Sequence, residues 1–511
     1  MEKRTILAIS LSLLILLSWS LLVSKTQHVD NKRVIEQSVV IEKAAFQPTP
    51  QPVLAEAEVA PASLATISSG KTEIVFIEPQ AAIKEVVFPA YQNYKFPLEY
   101  GFWLKEKKII FQKEKDAYGN ALFIYNDHEK RIMKRFIFHK SDYSMELEIE
   151  IQSLSVASLP VSLSLALGVL DFSGDQNKAR LKDFTVVTND KINHPNAHKD
   201  SSFEGIKFIG LRDTYFCAIL EPTAAYYSAH INKIGPQKSE LSLRSKEITL
   251  APGEKITERF SIYLGPQELN HINRINPAWS AVMYFGTFDF ISHFLLQLLD
   301  LIYNLVHNWG VAIIIFSILI YLILYPFSLK QMRSMKQMQA LQPRIEELKK
   351  IYKDNPQKLN KEIMELYRTY KINPFSGCLP LILQMPVFFA LYQVLIRSVA
   401  LKGANFLWIK NLSEADRLFI IPSLSPAFPI IGNEINILPI LMTIGMFFQQ
   451  KISTKNASGT SAEQQKMMLF LFPLMFGFIF YKMPSGLVLY WFINNILMLA
   501  QQLYLSKKNE P

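Results

Sequence analysis

Apolar and polar positions divide the chain into two regimes that meet near residue 280. From Lys71 to about Pro266, apolar residues recur with period two. Met145, Leu147, Ile149 and Ile151 alternate with Glu146, Glu148 and Glu150, and Ile248, Leu250, Ile256, Phe260, Ile262 and Leu264 sit in similar short runs. Alternation of this kind marks strands with one buried and one wetted face. Turn signals at Tyr118-Gly119-Asn120, Ser173-Gly174-Asp175 and Pro252-Gly253 separate the runs. Residues 71–280 are therefore expected to form a large antiparallel β-sandwich.

Beyond residue 280 the runs become apolar on every side. Residues 311–326, 377–396, 435–450, 467–481 and 486–505 contain no Asp, Glu, Lys or Arg, so each reads as a membrane helix. A sixth uncharged run, Thr5 to Val23, follows Glu2, Lys3 and Arg4. No small-x-small cleavage pattern occurs in the following SKTQHVD, which favours an uncleaved anchor (residues 1–23) over a signal peptide. Residues 24–70 are rich in Pro, Ala, Gln and Glu without apolar period and read as a flexible tether.

Between the two regimes, residues 288–307 carry a polar stripe of His293, Gln297, Asp300, Asn304 and His307. It stands against Phe294, Leu295, Leu298, Leu301, Ile302 and Leu305. The spacing predicts a helix lying flat on the membrane, with the histidines wetted rather than bound to metal. Residues 328–372 form the most basic loop and read as a helical hairpin. Met335, Met338, Leu341, Ile345, Leu348 and Tyr352 line one helix; Leu359, Ile363, Leu366, Tyr367 and Tyr370 line the other. Asn355-Pro356 fits an N-cap followed by a first-turn proline. The exposed basic positions, Arg344, Lys349, Lys350 and Lys353 among them, can meet anionic lipid or ribosomal RNA, or simply be solvated.

The stretch Lys371 to Val394 passes from Asn373-Pro374 and Ser376-Gly377 into an apolar run broken by Gln384 and Gln393, with Pro386 placed to kink it. On spacing alone Gln384 either lines a wet cavity or hydrogen-bonds a neighbouring helix. Ser317 and Tyr321, four apart, share a helix face.

Charge and chemistry narrow the picture. The 511 residues are 50% hydrophobic and carry a net charge of +10, and the basic residues cluster beside apolar runs as topology signals do. The positive-inside rule puts both termini and the hairpin in the cytoplasm and residues 24 to about 285 on the other side of the membrane. Two distant cysteines, Cys217 and Cys378, support neither a disulfide framework nor a metal cluster. After His128-Glu129 a zinc-protease helix would need a second histidine where Met133 stands, and no Gly-x-Ser-x-Gly elbow or Gly-rich phosphate loop occurs. No enzymatic activity, metal or cofactor is expected.

Asn308-Trp309-Gly310, Tyr325-Pro326, the Leu341-Gln342-Pro343 hairpin, INPFSGCLPLILQMPVF at 372–388, LPILM at 438–442 and PSGLVLYW at 484–491 occur in the order of one family. The chain resembles the YidC/Oxa/Alb membrane-protein insertases in their long bacterial form; YLGPQ at 263–267 extends the likeness loosely into the exported half. The resemblance implies a six-span α-helical membrane protein (residues 281–511 forming a five-helix insertase core with its cytoplasmic hairpin) and a periplasmic β-supersandwich. It also implies a hydrophilic groove, carried over here to Ser317, Tyr321, Gln384, Tyr490 and Trp491. Implied partners are nascent membrane proteins, the Sec translocon, the ribosome through the hairpin and C-terminal tail, and membrane lipids. Family members usually carry an arginine where this chain has Tyr321. A mid-membrane Arg costs about 2.5–3.5 kcal/mol on insertion scales, a cost that tyrosine avoids while keeping a hydroxyl. A transporter or channel with a periplasmic binding domain is the alternative, and an intramembrane hydrolase a third. Uncharged spans count against coupled transport, and the lack of Ser/His or paired Asp in them counts against hydrolysis.

Overall fold

The computed structural model describes residues 63–106, 109–116, 119–174, 179–353, 355–370, 372, 379–421, 433–453 and 460–507. The expected anchor 1–23, the tether up to residue 62, the turn residues Tyr118 and Asp175, the residues Asn373 to Cys378 and the tail 508–511 lie outside these. So does the side chain of Met335.

Period-two patterning becomes antiparallel sheet. In the strand Ser144–Ser153, Met145, Leu147, Ile149 and Ile151 are buried while Glu146 is exposed. Its neighbour Lys255–Pro266 pairs Ile262 with Met145, Phe260 with Leu147 and Ile256 with Ile151. These two strands sit in the middle of a nine-stranded sheet. Two four-stranded sheets complete one continuous apolar core with it. Phe76 of a small sheet meets Phe123 and Phe136 of the large one at 5.5 and 5.1 Å, and Phe88 stacks on Phe216 at 4.0 Å. The domain starts earlier than the sequence pattern suggests. Leu64–Ser69 is already a strand, paired with Thr72–Ile77 across a turn at Gly70, whose φ is +55°. Only Ala65 and Ser69 of this edge strand are buried, too little apolar content to stand out from the tether.

Lys134 lies in this core, fully buried. Its Nζ donates to Ala81 O at 2.6 Å and to Phe102 O, two residues in the left-handed region at φ 47° and 58°. One side-chain amine thus pins two tight reversals that non-glycine residues adopt only under constraint. Burial pushes its pKa well below the usual lysine value. A folded pKa below the unfolded one means that the unfolded chain binds more protons between the two values, so stability rises as pH rises through that window. Lys134→Met is expected to flatten the rise of β-domain stability with pH below the usual lysine value of about 10, followed by near-ultraviolet circular dichroism of the full chain. An unchanged slope would show that another group carries it.

The helices follow. α1 (Leu269–Ile275) and a short 3-10 turn close the β domain, and α2 (Asp289–Val306) follows. Leu295, Leu299 and Ile302 of α2 are buried, whereas Phe290, Phe294, Leu301 and Leu305 are exposed. The apolar stripe therefore splits between protein and surroundings, and the polar stripe splits too: Gln297, Asn304 and His307 are exposed, while Asp300 turns toward the β domain.

α3 (Trp309–Ala340) begins where Asn308 Oδ1 accepts from Val311 N at 3.1 Å. It does not stop at Pro326, as the span 311–326 implies, but continues through it. A proline removes one hydrogen bond without ending a helix whose neighbours hold it straight. The break comes at Leu341, with Pro343 in the first turn of α4 (Gln342–Ile351). α5 (Pro356–Thr369) completes the hairpin, and Asn355 caps it by accepting from Lys358 N at 3.0 Å. Leu341, Ile345 and Ile372 are buried between the two, with Met338, Ile363, Leu366 and Tyr367 packed around them.

α6 (Leu379–Arg397), with Pro386 inside it, α7 (Ile437–Ser453), α8 (Thr460–Phe480) and α9 (Ser485–Lys507) complete the bundle. Among the described residues three helical stretches are long and apolar enough to cross a membrane: 289–306, 309–338 and 485–505. The apolar stretches Ile437–Ile452 and Leu469–Phe480 are shorter. The loop after α6 folds back onto the bundle, burying Leu401, Ile409 and Leu412. Phe406 lies so close to Gly310 that a Cβ there would stand 2.0 Å from its ring, which explains the glycine after Trp309.

Candidate functional site

α9 is the hub on which the polar side chains of the bundle converge. Tyr321 of α3 donates its hydroxyl to Gln501 Oε1 at 2.6 Å and lies 3.3 Å from Leu497 O. Ser328, two turns further along α3, donates to the same Gln501 Oε1 at 2.7 Å. From α6, Gln384 Nε2 donates to the Tyr490 hydroxyl, and Asn494 Nδ2 donates to Tyr490 O at 2.9 Å. Gln449 of α7 points its amide at Met498 Sδ, 3.9 Å away. Three helices thus present uncharged donors and acceptors to one face of a fourth.

Of the residues expected on the groove, Tyr321 reaches α9 at Gln501 and Gln384 reaches it at Tyr490, eleven positions earlier; Tyr490 is fully buried and the other two half-buried. Of the two roles open to Gln384, the helix-to-helix hydrogen bond is present. Ser317 is fully buried and donates to Ile313 O of its own helix at 2.6 Å, so its hydroxyl faces no other helix. Trp491 lies among Phe388, Phe476 and Phe480, with ring centroids 5.3 to 5.9 Å apart, and its indole N–H has no hydrogen-bond partner among the described residues. A buried donor left open in this way is costly unless something polar reaches it.

Ser328, Asn494 and Gln501 belong to the same seam and were not singled out from the sequence. The signal was present: Tyr490, Asn494 and Gln501 are spaced four and seven apart, which places them on one face of α9. Asp416 was missed as well. Buried in the loop before α7, its Oδ2 accepts from Ile437 N at 2.8 Å and Leu438 N at 2.9 Å and from Trp408 Nε1 at 3.2 Å. It caps the start of α7 from 21 residues upstream.

In the hairpin, Arg344 donates to the Tyr370 hydroxyl and places its guanidinium 5.1 Å from that ring, so it staples the two helices together. Lys350 and Lys353 are exposed, and Lys349 is half-buried. On the other side, the β domain grips the loop after α6: Lys402 Nζ lies 3.8 Å above the Tyr94 ring and 5.3 Å from Tyr215, and the Tyr215 hydroxyl is 3.3 Å from Ser413 Oγ. Burial, with Asp213 beside it, pushes the Tyr94 phenol far above the usual range, so it stays neutral beneath the cation.

Residues 301–511 match the 60Kd inner membrane protein family, and residues 100–298 match the YidC periplasmic domain. A membrane protein insertase YidC from Pelobacter propionicus is 30% identical over 99% of both chains. One from Geotalea uraniireducens is also 30% identical over 99% of both chains. One from Vesicomyosocius okutanii is 34% identical, covering 81% of this chain and 74% of its own. Among solved structures, an active YidC insertase aligns at a TM-score of 0.41 and 20% identity, covering 88% of this chain and 95% of that one. With identity at this level over the full length of both chains, the chain belongs to the YidC family of membrane protein insertases.

Proposed function

We propose that this protein inserts apolar segments of nascent proteins into the bacterial inner membrane by offering their polar flanks an uncharged, hydrogen-bonding path along α9. The observation that carries the reading is the convergence of Tyr321, Ser328 and Gln384 on Tyr490 and Gln501 inside a bundle whose core spans hold no charged residue. Ser317 is part of the proposed groove although its hydroxyl bonds within its own helix, and Trp491 adds an open donor.

The free energy comes from the client. A helix of about 20 apolar residues gains a few tenths of a kcal/mol per Leu or Ile on entering lipid. Moving its polar flank through hydrocarbon is slow, and polar groups part-way across lower that barrier without changing the end states. No nucleotide or ion gradient enters this scheme. An ion-coupled transporter would need intramembrane acids, which these spans lack.

In the proposed topology six spans return both termini to the cytoplasm. α2 lies on the outer membrane surface, residues 24 to about 285 are periplasmic and the hairpin is cytoplasmic. The exposed Lys350 and Lys353 then face a translating ribosome or anionic lipid, the C-terminal tail adds to that surface, and the protein works alone or beside the Sec translocon. Cysteines at Ser68 and Lys353, both exposed, test the topology in intact cells with an impermeant maleimide. The Ser68→Cys variant is expected to label from outside and the Lys353→Cys variant only after lysis. Outside labelling of the Lys353 position would overturn the six-span arrangement.

A further inference from the structure

Between the β domain, α2 and the end of α6 lies a cavity of about 180 Å³ whose lining includes Gln267, Glu268, Asp300, Asn304, Arg397 and Ser398. Its charged groups do not neutralise one another. Arg397 is 8% exposed, donates Nε to Gln393 Oε1 at 3.3 Å and one terminal nitrogen to Leu181 O at 3.1 Å, and has no carboxylate within 4.0 Å among the described residues. Its second terminal nitrogen makes no hydrogen bond among those residues. Asp300 makes neither a hydrogen bond nor an ion pair there. Glu268 meets only the Tyr91 hydroxyl at 3.4 Å and His271 Nε2 at 3.3 Å. Burial raises the Glu268 carboxyl above its usual range and lowers His271, so that histidine is a poor counter-ion. Charges withdrawn from water without partners are costly unless a ligand supplies them.

The surroundings say what kind of ligand. Asn304 lies on α2 beside Leu301 and Leu305, which are 60% and 76% exposed, so an apolar strip runs from beside the cavity along the helix. We infer that the cavity holds the headgroup of an amine-bearing zwitterionic phospholipid, its ammonium on Glu268 and Asp300, its phosphate on Arg397 and its acyl chains along Phe294, Leu301 and Leu305. A primary ammonium donates three hydrogen bonds to carboxylates; a trimethylated one donates none, and a glycerol headgroup leaves both acids uncompensated. The inference rests on α2 lying at the membrane surface. Labelling of a Phe290→Cys variant by a lipid-phase maleimide reports that position independently.

The test is native mass spectrometry of the delipidated full-length protein, titrated separately with phosphatidylethanolamine, phosphatidylcholine, phosphatidylglycerol and free O-phosphoethanolamine. Phosphatidylethanolamine is expected to bind at least about tenfold more tightly than the other three. In a Glu268→Gln/Asp300→Asn variant that preference is expected to vanish while the melting temperature does not fall, since removing unpaired buried charge does not destabilise the fold. Equal retention of all three lipids, an unchanged preference in the variant, or free phosphoethanolamine binding as tightly as the lipid would each overturn the assignment. The last of these would point to a soluble ligand.

Discussion

Replacing Asp416 by alanine is expected to cost about 2–4 kcal/mol of stability and to loosen the start of α7. Its buried Oδ2 accepts from Ile437 N, Leu438 N and the Trp408 indole. These are charge-assisted bonds to the first free amides of a helix, where a negative charge also meets the positive end of the helix dipole. Alanine leaves three donors open, Leu438 N buried and Ile437 N and Trp408 Nε1 part-buried. Asn436, next in the chain, ties the same junction to α8 by donating to Tyr481 O at 2.8 Å, so the loosening should spread to the α7–α8 pair. Asp416→Asn keeps the acceptor without the charge and should lose roughly half as much. Melting in detergent and hydrogen exchange at residues 437–445 measure both variants. An alanine variant as stable as the wild type would mean that water or a rearranged backbone replaces the cap.

The second large effect concerns activity rather than stability. Tyr321→Leu combined with Gln384→Leu removes one side-chain hydrogen bond from each end of the seam. Hydrogen bonds between membrane helices average about 0.6 kcal/mol and reach about 2, so the double variant should still fold. Ser328 keeps Gln501 partnered, which favours the same outcome. For a client with a charged or long polar flank, losing two polar partners along the path should raise the barrier by about 1–2 kcal/mol, slowing insertion by about tenfold. Clients with short neutral flanks should be spared. Tyr321→Arg, by contrast, would place its donors near Gln501 Oε1, Leu497 O and Ser328 Oγ, and should be tolerated. Equal insertion of charged-flank clients by wild type and the double variant would leave Tyr321 and Gln384 as ordinary packing residues.

Much of the architecture was legible because its signals are local. Alternation at Met145 to Ile151 sets which face of the sheet is buried, and the Asn355-Pro356 pair marks a helix start that the structure reproduces. The edge strand Leu64–Ser69 was hidden because an edge buries little, and α3 ran past Pro326 because tertiary contacts hold a helix that local preference would interrupt. For the proposed site, positions 321, 384 and 490 carry a signal in the sequence, whereas Gln501, which Tyr321 bonds, does not stand out. The amides of α9 carry no charge and so do not stand out in an apolar span, although Gln501 sits on the same helix face as Tyr490. Asp416 could not have been found locally, because the amides it caps, at the start of α7, lie 21 and 22 residues further along the chain. The cavity around Arg397 is equally non-local, assembled from the end of the β domain, α2 and α6.

The central claim is that the protein speeds insertion passively, and reconstitution tests it most directly. The full-length chain is placed in vesicles free of nucleotide and ion gradients. A single-helix client with a charged flank is released from denaturant, and protection of its translocated flank from added protease is followed over time. The account predicts that protection appears faster than in protein-free vesicles, in proportion to the amount of protein, with the same final extent for clients that insert unaided. Insertion no faster than in empty vesicles, or acceleration only when nucleotide or an ion gradient is supplied, would contradict it.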